Sequence, residues 1–146
     1  MQIEIKMDEA YKEPKVLILT DKMSDEVGEI LRKLSETMPR MLAGFRGDTL
    51  EILEQARISR IYAQSGKIFA RTETSEYELR LRLYELEDRL DKSCFVRISN
   101  SEIINLRKVK NFDLSYSGTI RVNMLDGTAA YVSRRNVAKI KEVLGI

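Results

Sequence analysis

The stretch Phe95–Leu106 reads FVRISNSEIINL. It combines an apolar alternation with Arg97, Ser99, Asn100, Ser101 and Asn105, five short or planar hydrogen-bonding side chains in nine positions. Its structural reading is a strand, a turn and a short helix whose polar side chains serve as caps. Its functional reading is a surface that reads another polar molecule, because Arg suits a guanine edge and Asn an adenine edge. The stretch alone leaves both readings open, and the flanking sequence has to separate them.

Working outward, the segment after it alternates again. Val109–Ser115 and Thr119–Leu125 read as strands, with Ile120, Val122 and Met124 on one face and Arg121 and Asn123 on the other. Ser117-Gly118 and Asp126-Gly127 are hairpin turns, and Thr128–Val132 closes the second. Ser133 then stands where a helix cap belongs, ahead of Val137, Ile140 and Val143 or Leu144 at helical spacing. Upstream, LYELEDRL (83–90) is a short amphipathic helix. Before it come four candidate strands, 50–53, 58–63, 67–72 and 76–81, with Ser65-Gly66 as the turn between the second and third. The stretch RMLAGFRGDT (40–49), with two glycines and little periodicity, reads as a boundary. Ahead of it, residues 2–7 and 15–20 have strand character. Ser24 starts a helix whose stripe is Val27, Ile30, Leu31, Leu34 and Met38, and Pro39 stops it. The expected fold is therefore mostly β with short helices, an α+β arrangement of short antiparallel strands over residues 44–146, preceded by a small β-β-α extension over 1–43.

Composition narrows the function. The 146 residues contain no histidine and one cysteine, Cys94. That excludes a Ser-His-Asp triad, a Cys-His pair, a His-ligated zinc and an internal disulfide. No phosphate-binding glycine loop occurs. An enzyme is not expected, nor a metal, a cofactor or a small-molecule substrate. The N-terminus lacks the apolar core of a signal peptide and the longest apolar run is 16–19, so a cytoplasmic location is expected. Charge is uneven. Seven basic against nine acidic residues give 1–43 a net −2, while ten basic against four acidic residues give 92–146 a net +6. The basic end suits a polyanion.

Three polar clusters lie where strands end: Arg97 with Ser99–Ser101, Ser133 with Arg134, Arg135 and Asn136, and the turn Gln64–Lys67. Two arginines in a first helical turn oppose the helix dipole, which favours an anion there. Asn105 reads as a structural cap.

Four separated segments now carry a resemblance. FVRISNSEIINLRKV (95–109), LDGTAAYVSRRNVAKIKEVL (125–144), IYAQSGKIFART (61–72) and YELRLRLYELEDRL (77–90) resemble, in order and spacing, the LytTR family of bacterial DNA-binding domains. The resemblance covers roughly residues 45–146. It implies an elongated β fold that inserts loops from its sheet ends into successive major grooves and binds paired direct repeats in promoters. It implies that Asn100 contacts base or backbone and that Arg135 enters a groove. Lys67 falls in a third DNA-facing loop, with Arg134, Arg97, Ser99 and Ser101 as further DNA-binding positions. Leu83, Leu86, Leu90, Phe95, Ile103, Ile104, Val109, Val122 and Val137 fall on core positions. Ser99 stands where many members have histidine. Arg82 stands where many have a capping Ser or Thr, so the helix at 83 should lack a side-chain cap. Residues 1–43 are too short for a receiver domain, and the chain resembles short members that carry a small extension and are encoded beside a membrane protein. The extension is expected to make a homodimer or to receive a regulatory membrane-protein partner. The expected partner is double-stranded DNA and the expected function a sequence-specific transcriptional regulator. The alternative is a protein-interaction or antagonist module that keeps the fold without specific DNA binding. An RNA-binding domain would want exposed stacking aromatics, whereas Tyr62, Phe69 and Tyr131 read as core or sheet-face residues.

Overall fold

The computed structural model describes residues 1–37 and 41–146, with side chains described outside 35–40. The chain divides into two units, 1–37 and 38–146. In the first, helix α1 spans Asp25–Thr37, opening with Asp25 and Glu26 at the positive end of its dipole. The Ser24 hydroxyl accepts from the Val27 N–H at 3.3 Å, as a helix cap should. Residues 2–7 and 15–20, read as strands, pair with nothing among the described residues and are irregular. The alternation of 2–7 and the apolar run of 15–20 are real, but a strand needs a ladder partner and this unit supplies none. Met38, Pro39 and Arg40 lie outside the described residues.

Among its described residues the second unit has ten strands. Seven form one antiparallel sheet: β1 (Met41–Arg46), β2 (Thr49–Glu54), β3 (Arg60–Gln64), β4 (Lys67–Arg71), β5 (Glu76–Leu79), β6 (Phe95–Ser99) and β7 (Glu102–Asn105), in the order β2-β1-β5-β4-β3-β7-β6. A second sheet, β10-β9-β8, comprises β8 (Val109–Asp113), β9 (Ile120–Met124) and β10 (Ala129–Val132). Helix α2 (Leu83–Arg89) follows β5, and α3 (Arg134–Leu144) ends the chain.

The expected boundary at 40–49 is instead strand β1 and its hairpin with β2. Gly44 faces the core because a β-carbon there would come within 2.6 Å of the Leu53 side chain. Gly47 takes φ +60 in the turn. The hairpin β3–β4 turns at Ser65 and Gly66, both with positive φ, the pair of left-handed residues that a two-residue type I′ turn requires.

Two cores result. Leu42, Leu53, Ile61, Leu79, Leu83, Leu86, Leu90, Phe95 and Ile103 close the first, between the large sheet and α2. Val96, Ile98, Ile104, Ile120, Val122, Met124, Val132 and Ile140 close the second, between β6–β7, the small sheet and α3. Successive residues of β6 and β7 therefore point into different cores, and this hairpin is the wall between them. Of the nine expected core positions, Val109 and Val137 are half-buried and packed against the second core, while the rest are buried. Asn105, 1% exposed, fixes the end of β7. Its Nδ2 donates to the Ile58 carbonyl at 2.9 Å and its Oδ1 accepts from the Arg107 N–H at 3.0 Å, the structural role expected for it.

Candidate nucleic-acid interface

The turn between β6 and β7 is held by one side chain. Arg97 leaves β6 on the face that looks towards α2. Its Nε donates to the Ser99 carbonyl at 2.9 Å and its Nη2 to the Asn100 carbonyl at 2.7 Å. The remaining Nη1 reaches Glu87 of α2 at 3.4 Å. A planar guanidinium matches this arrangement because its donors diverge in one plane. The strand bulges between Arg97 and Ser99, which turns the chain outward. Ser99 Oγ accepts from the Ser101 N–H at 3.2 Å and lies 3.3 Å from its hydroxyl. On the far side, Glu102 pairs with Arg60 of β3 at 2.9 Å. Burial pushes the Glu102 carboxyl above its ordinary value, and Arg60 offsets part of that rise. The outcome is a turn cross-braced by hydrogen bonds with Asn100 exposed at its tip, its side-chain amide without an intramolecular hydrogen bond among the described residues.

Two backbone hydrogen bonds bring three loops to one end of this unit. The Ala63 N–H donates to the Ser101 carbonyl at 2.8 Å, which sets the β6–β7 turn beside the Ser65-Gly66 turn and Lys67. The Ser133 N–H donates to the Ile98 carbonyl at 2.8 Å, which sets the start of α3, with Arg134 and Arg135, against the end of β6. Lys67, Arg97 and Asn100 line one open concavity. Lys67, Arg134 and Arg135 are exposed. The backbone at Gly118 of the β8–β9 loop lies close to Arg134: a β-carbon there would sit 3.5 Å from Nε.

Ser133 does not cap α3 with its side chain. Its hydroxyl accepts from the Asn136 amide at 2.7 Å, while its carbonyl accepts the Asn136 N–H at 2.9 Å. Arg82 likewise offers no acceptor to α2, as its residue type requires, but Glu85 Oε1 accepts from the Arg82 N–H at 3.3 Å, the reverse half of a capping box. Tyr131 is 52% exposed on the small sheet, edge-on to Tyr116 at 6.0 Å between ring centroids.

Two further cations stand at this end, beyond the site residues expected from sequence. Arg80 and Arg82 line the same concavity as Lys67 and Asn100. The pattern ELRLRL (78–83) carries the signal: it alternates Leu79, Leu81 and Leu83 with Arg80 and Arg82, and both arginines are exposed where β5 runs into α2.

Among the described residues, no helix is long and apolar enough to cross a membrane, and no helix follows another directly, so no helix-turn-helix is formed. The family model of the LytTr DNA-binding domain matches residues 48–145. An uncharacterized HTH-type transcriptional regulator of Staphylococcus aureus strain MSSA476 is 30% identical over 147 residues, covering 100% of this chain and 99% of the relative. Its counterpart in strain NCTC 8325 matches with the same identity and coverage, 30%, 100% and 99%. A solved structure, the LytTr DNA-binding domain of a Bacillus cereus protein described as a putative methyl-accepting/DNA response regulator, superposes with a TM-score of 0.71. It is 20% identical and covers 73% of this chain and 98% of its own, a likeness of fold. The strand-rich second unit, its edge loops and these matches agree: the chain belongs to the LytTR family of DNA-binding domains.

Proposed function

We propose that this chain is a sequence-specific transcriptional regulator that inserts its edge loops into successive major grooves of promoter DNA carrying paired direct repeats. The observation that supports this reading best is the pair of backbone hydrogen bonds, Ala63 to Ser101 and Ser133 to Ile98, that gathers three loops at one end. In this reading Asn100 and Arg135 read base edges, while Lys67 and Arg134 neutralise phosphates. Ser99 and Ser101 offer hydroxyls at the same turn. Arg97 acts from behind, as the residue that shapes the turn, because its three nitrogens are already engaged. Selection of bound sequences from a random duplex pool tests the proposal. Enrichment of a spaced repeat is the expected result, and a pool without enrichment overturns it.

Lys67 supplies a narrower prediction. A lysine at a turn is a mobile point charge suited to phosphate rather than to a base edge. Lys67→Ala is expected to weaken binding to selected and random duplexes alike and to reduce the salt slope by about one. A loss confined to the selected sequence would assign Lys67 to base readout instead.

Paired repeats seat two copies of the chain, and the acidic extension, unsuited to DNA, is free to join them. We place the dimer contact on α1, where Ile30, Leu31 and Leu34, half-buried in the single chain, fall by their spacing on the face that also carries the buried Val27. Ile30→Glu puts a charge in that stripe. Light scattering of the full chain is expected to show a dimer for the wild type and a monomer for the variant; a dimer in both sinks the assignment. A regulatory membrane protein would engage the same extension and compete with dimerisation. The protein would act in the cytoplasm, where the chromosome lies.

A further inference from the structure

We propose that Arg80 and Arg82 form a fourth phosphate-gripping element of the DNA interface, acting on the backbone next to the turn that carries Asn100. The inference rests on the proposed DNA reading and adds two residues that the three-loop description does not include.

The concavity in question is lined from three separate parts of the chain: the start of β4, the end of β5 running into α2, and the β6–β7 turn. Its lining contains Lys67, Arg80, Arg82 and Arg97, and Glu78 is its one carboxylate. Glu87 meets the Arg97 charge from outside the lining, which leaves Lys67, Arg80 and Arg82 against Glu78, an excess of positive charge that a polyanion relieves.

The four cations differ in what they have left to give. Arg97 is committed to two carbonyls and Glu87. Arg80 stacks its guanidinium carbon 3.9 Å over the Phe45 ring. Stacking occupies the face of the guanidinium and leaves its in-plane N–H fork open, while restricting its rotamers. A fork held this way loses less freedom on meeting a phosphate than an unsupported one. Arg82 has no side-chain hydrogen bond or ion pair among the described residues and is exposed. Past the end of β5, Leu79 and Leu83 are buried in the first core and Leu81 packs against it, while Arg80 and Arg82 stay exposed. Asn100 lines the same hollow, which places the pair beside the tip of the proposed reading loop.

Contacts of this kind carry no sequence information. The test is therefore the salt dependence of binding by the full chain to a selected duplex and to a random one. Arg80→Gln with Arg82→Gln is expected to lower the slope of log affinity against log salt by about two, close to one for each phosphate no longer neutralised. Affinity for both duplexes should fall by the same factor. Arg82→Gln alone, at an exposed position, should lower the slope by about one and guards against misfolding of the double variant. As a charge-matched control, Arg57→Gln with Arg89→Gln removes two cations from the other end of α2, where Gln55 bonds to the Arg89 carbonyl. That control should keep the wild-type slope. An unchanged slope in the Arg80/Arg82 variant, with wild-type binding intact, overturns this inference and leaves the DNA reading standing. An equal drop in the control also overturns it, because the effect would then be net charge rather than direct gripping of the backbone. A wild type that binds no duplex overturns the DNA reading and this inference with it.

Discussion

Ile98→Ala is expected to cost the second unit about 2–5 kcal/mol of stability, the range for deleting a fully buried isoleucine side chain down to its β-carbon. Ile98 is fully buried among Val96, Ile104, Ile120, Val132 and Ile140, residues drawn from both sheets and α3. Few of these neighbours can collapse into the space, because β6 is anchored on its other face by Phe95 in the first core. The cavity should therefore persist and add to the lost transfer energy. Urea unfolding is the measurement: the midpoint should fall with the slope unchanged, since the folded and unfolded surfaces differ little between variant and wild type. Ile98 is also the residue at the bulge, and its carbonyl accepts the Ser133 N–H. The substitution leaves that carbonyl in place. A midpoint equal to the wild type would mean that the second core is not closed around this residue.

Ile98 also shows why the β6–β7 hairpin is only half legible in the sequence. The alternation of Phe95–Ile98 gives β6 directly. Glu102–Asn105 contains two adjacent isoleucines, which breaks the period-2 pattern and makes the segment read as a turn and a short helix. The break has a physical cause: Ile103 enters the first core and Ile104 the second, so a strand that walls two cores needs apolar residues on both faces. Strand β1 is hidden for the opposite reason. Gly44 occupies an inward position because Leu53 and Tyr77 leave no room for a side chain, and a glycine in a strand reads as a break. The helices are easier, because their apolar spacing is local. Ile3, Ile5 and Met7 show the limit of any periodic reading. Alternation states which residues would share a face, whereas pairing depends on a partner strand that the pattern cannot supply.

For the site, residue types are informative and bonding is not. The Arg-Asn-Ser content of the β6–β7 turn and of the α3 start marks both loops from sequence. Nothing in the sequence says that the Arg97 fork closes on Ser99 and Asn100, or that Ser133 bonds to the Asn136 side chain rather than to a helix N–H. Those outcomes depend on the bulge and on the Ile98–Ser133 bond, which are products of tertiary packing. Arg80 and Arg82 are legible in principle, since a Leu-Arg-Leu-Arg-Leu run aligns two cations. Without the hollow beside Asn100 they are indistinguishable from ordinary strand-end polarity.

Arg135→Ala is expected to weaken binding to the selected promoter sequence by about 1–3 kcal/mol, and binding to random duplex by less. Arg135 is exposed in the first turn of α3, beside Arg134 and at the positive end of the helix dipole. That placement is mildly unfavourable, so removing the side chain should not destabilise the fold. It has no ion pair or hydrogen bond among the described residues to lose, and its side chain packs in neither core. A change in affinity can then be assigned to the DNA-bound state rather than to folding. The difference between the two duplexes identifies the kind of interaction. A guanidinium bidentate to a guanine edge loses both hydrogen bonds with the alanine, and only where that base is present. A guanidinium on a phosphate loses the same energy on any sequence, with a salt slope lower by about one. Equal losses on both duplexes would therefore move Arg135 from the reading set to the anchoring set and leave Asn100 as the side chain on which base readout from this end of the fold would have to rest.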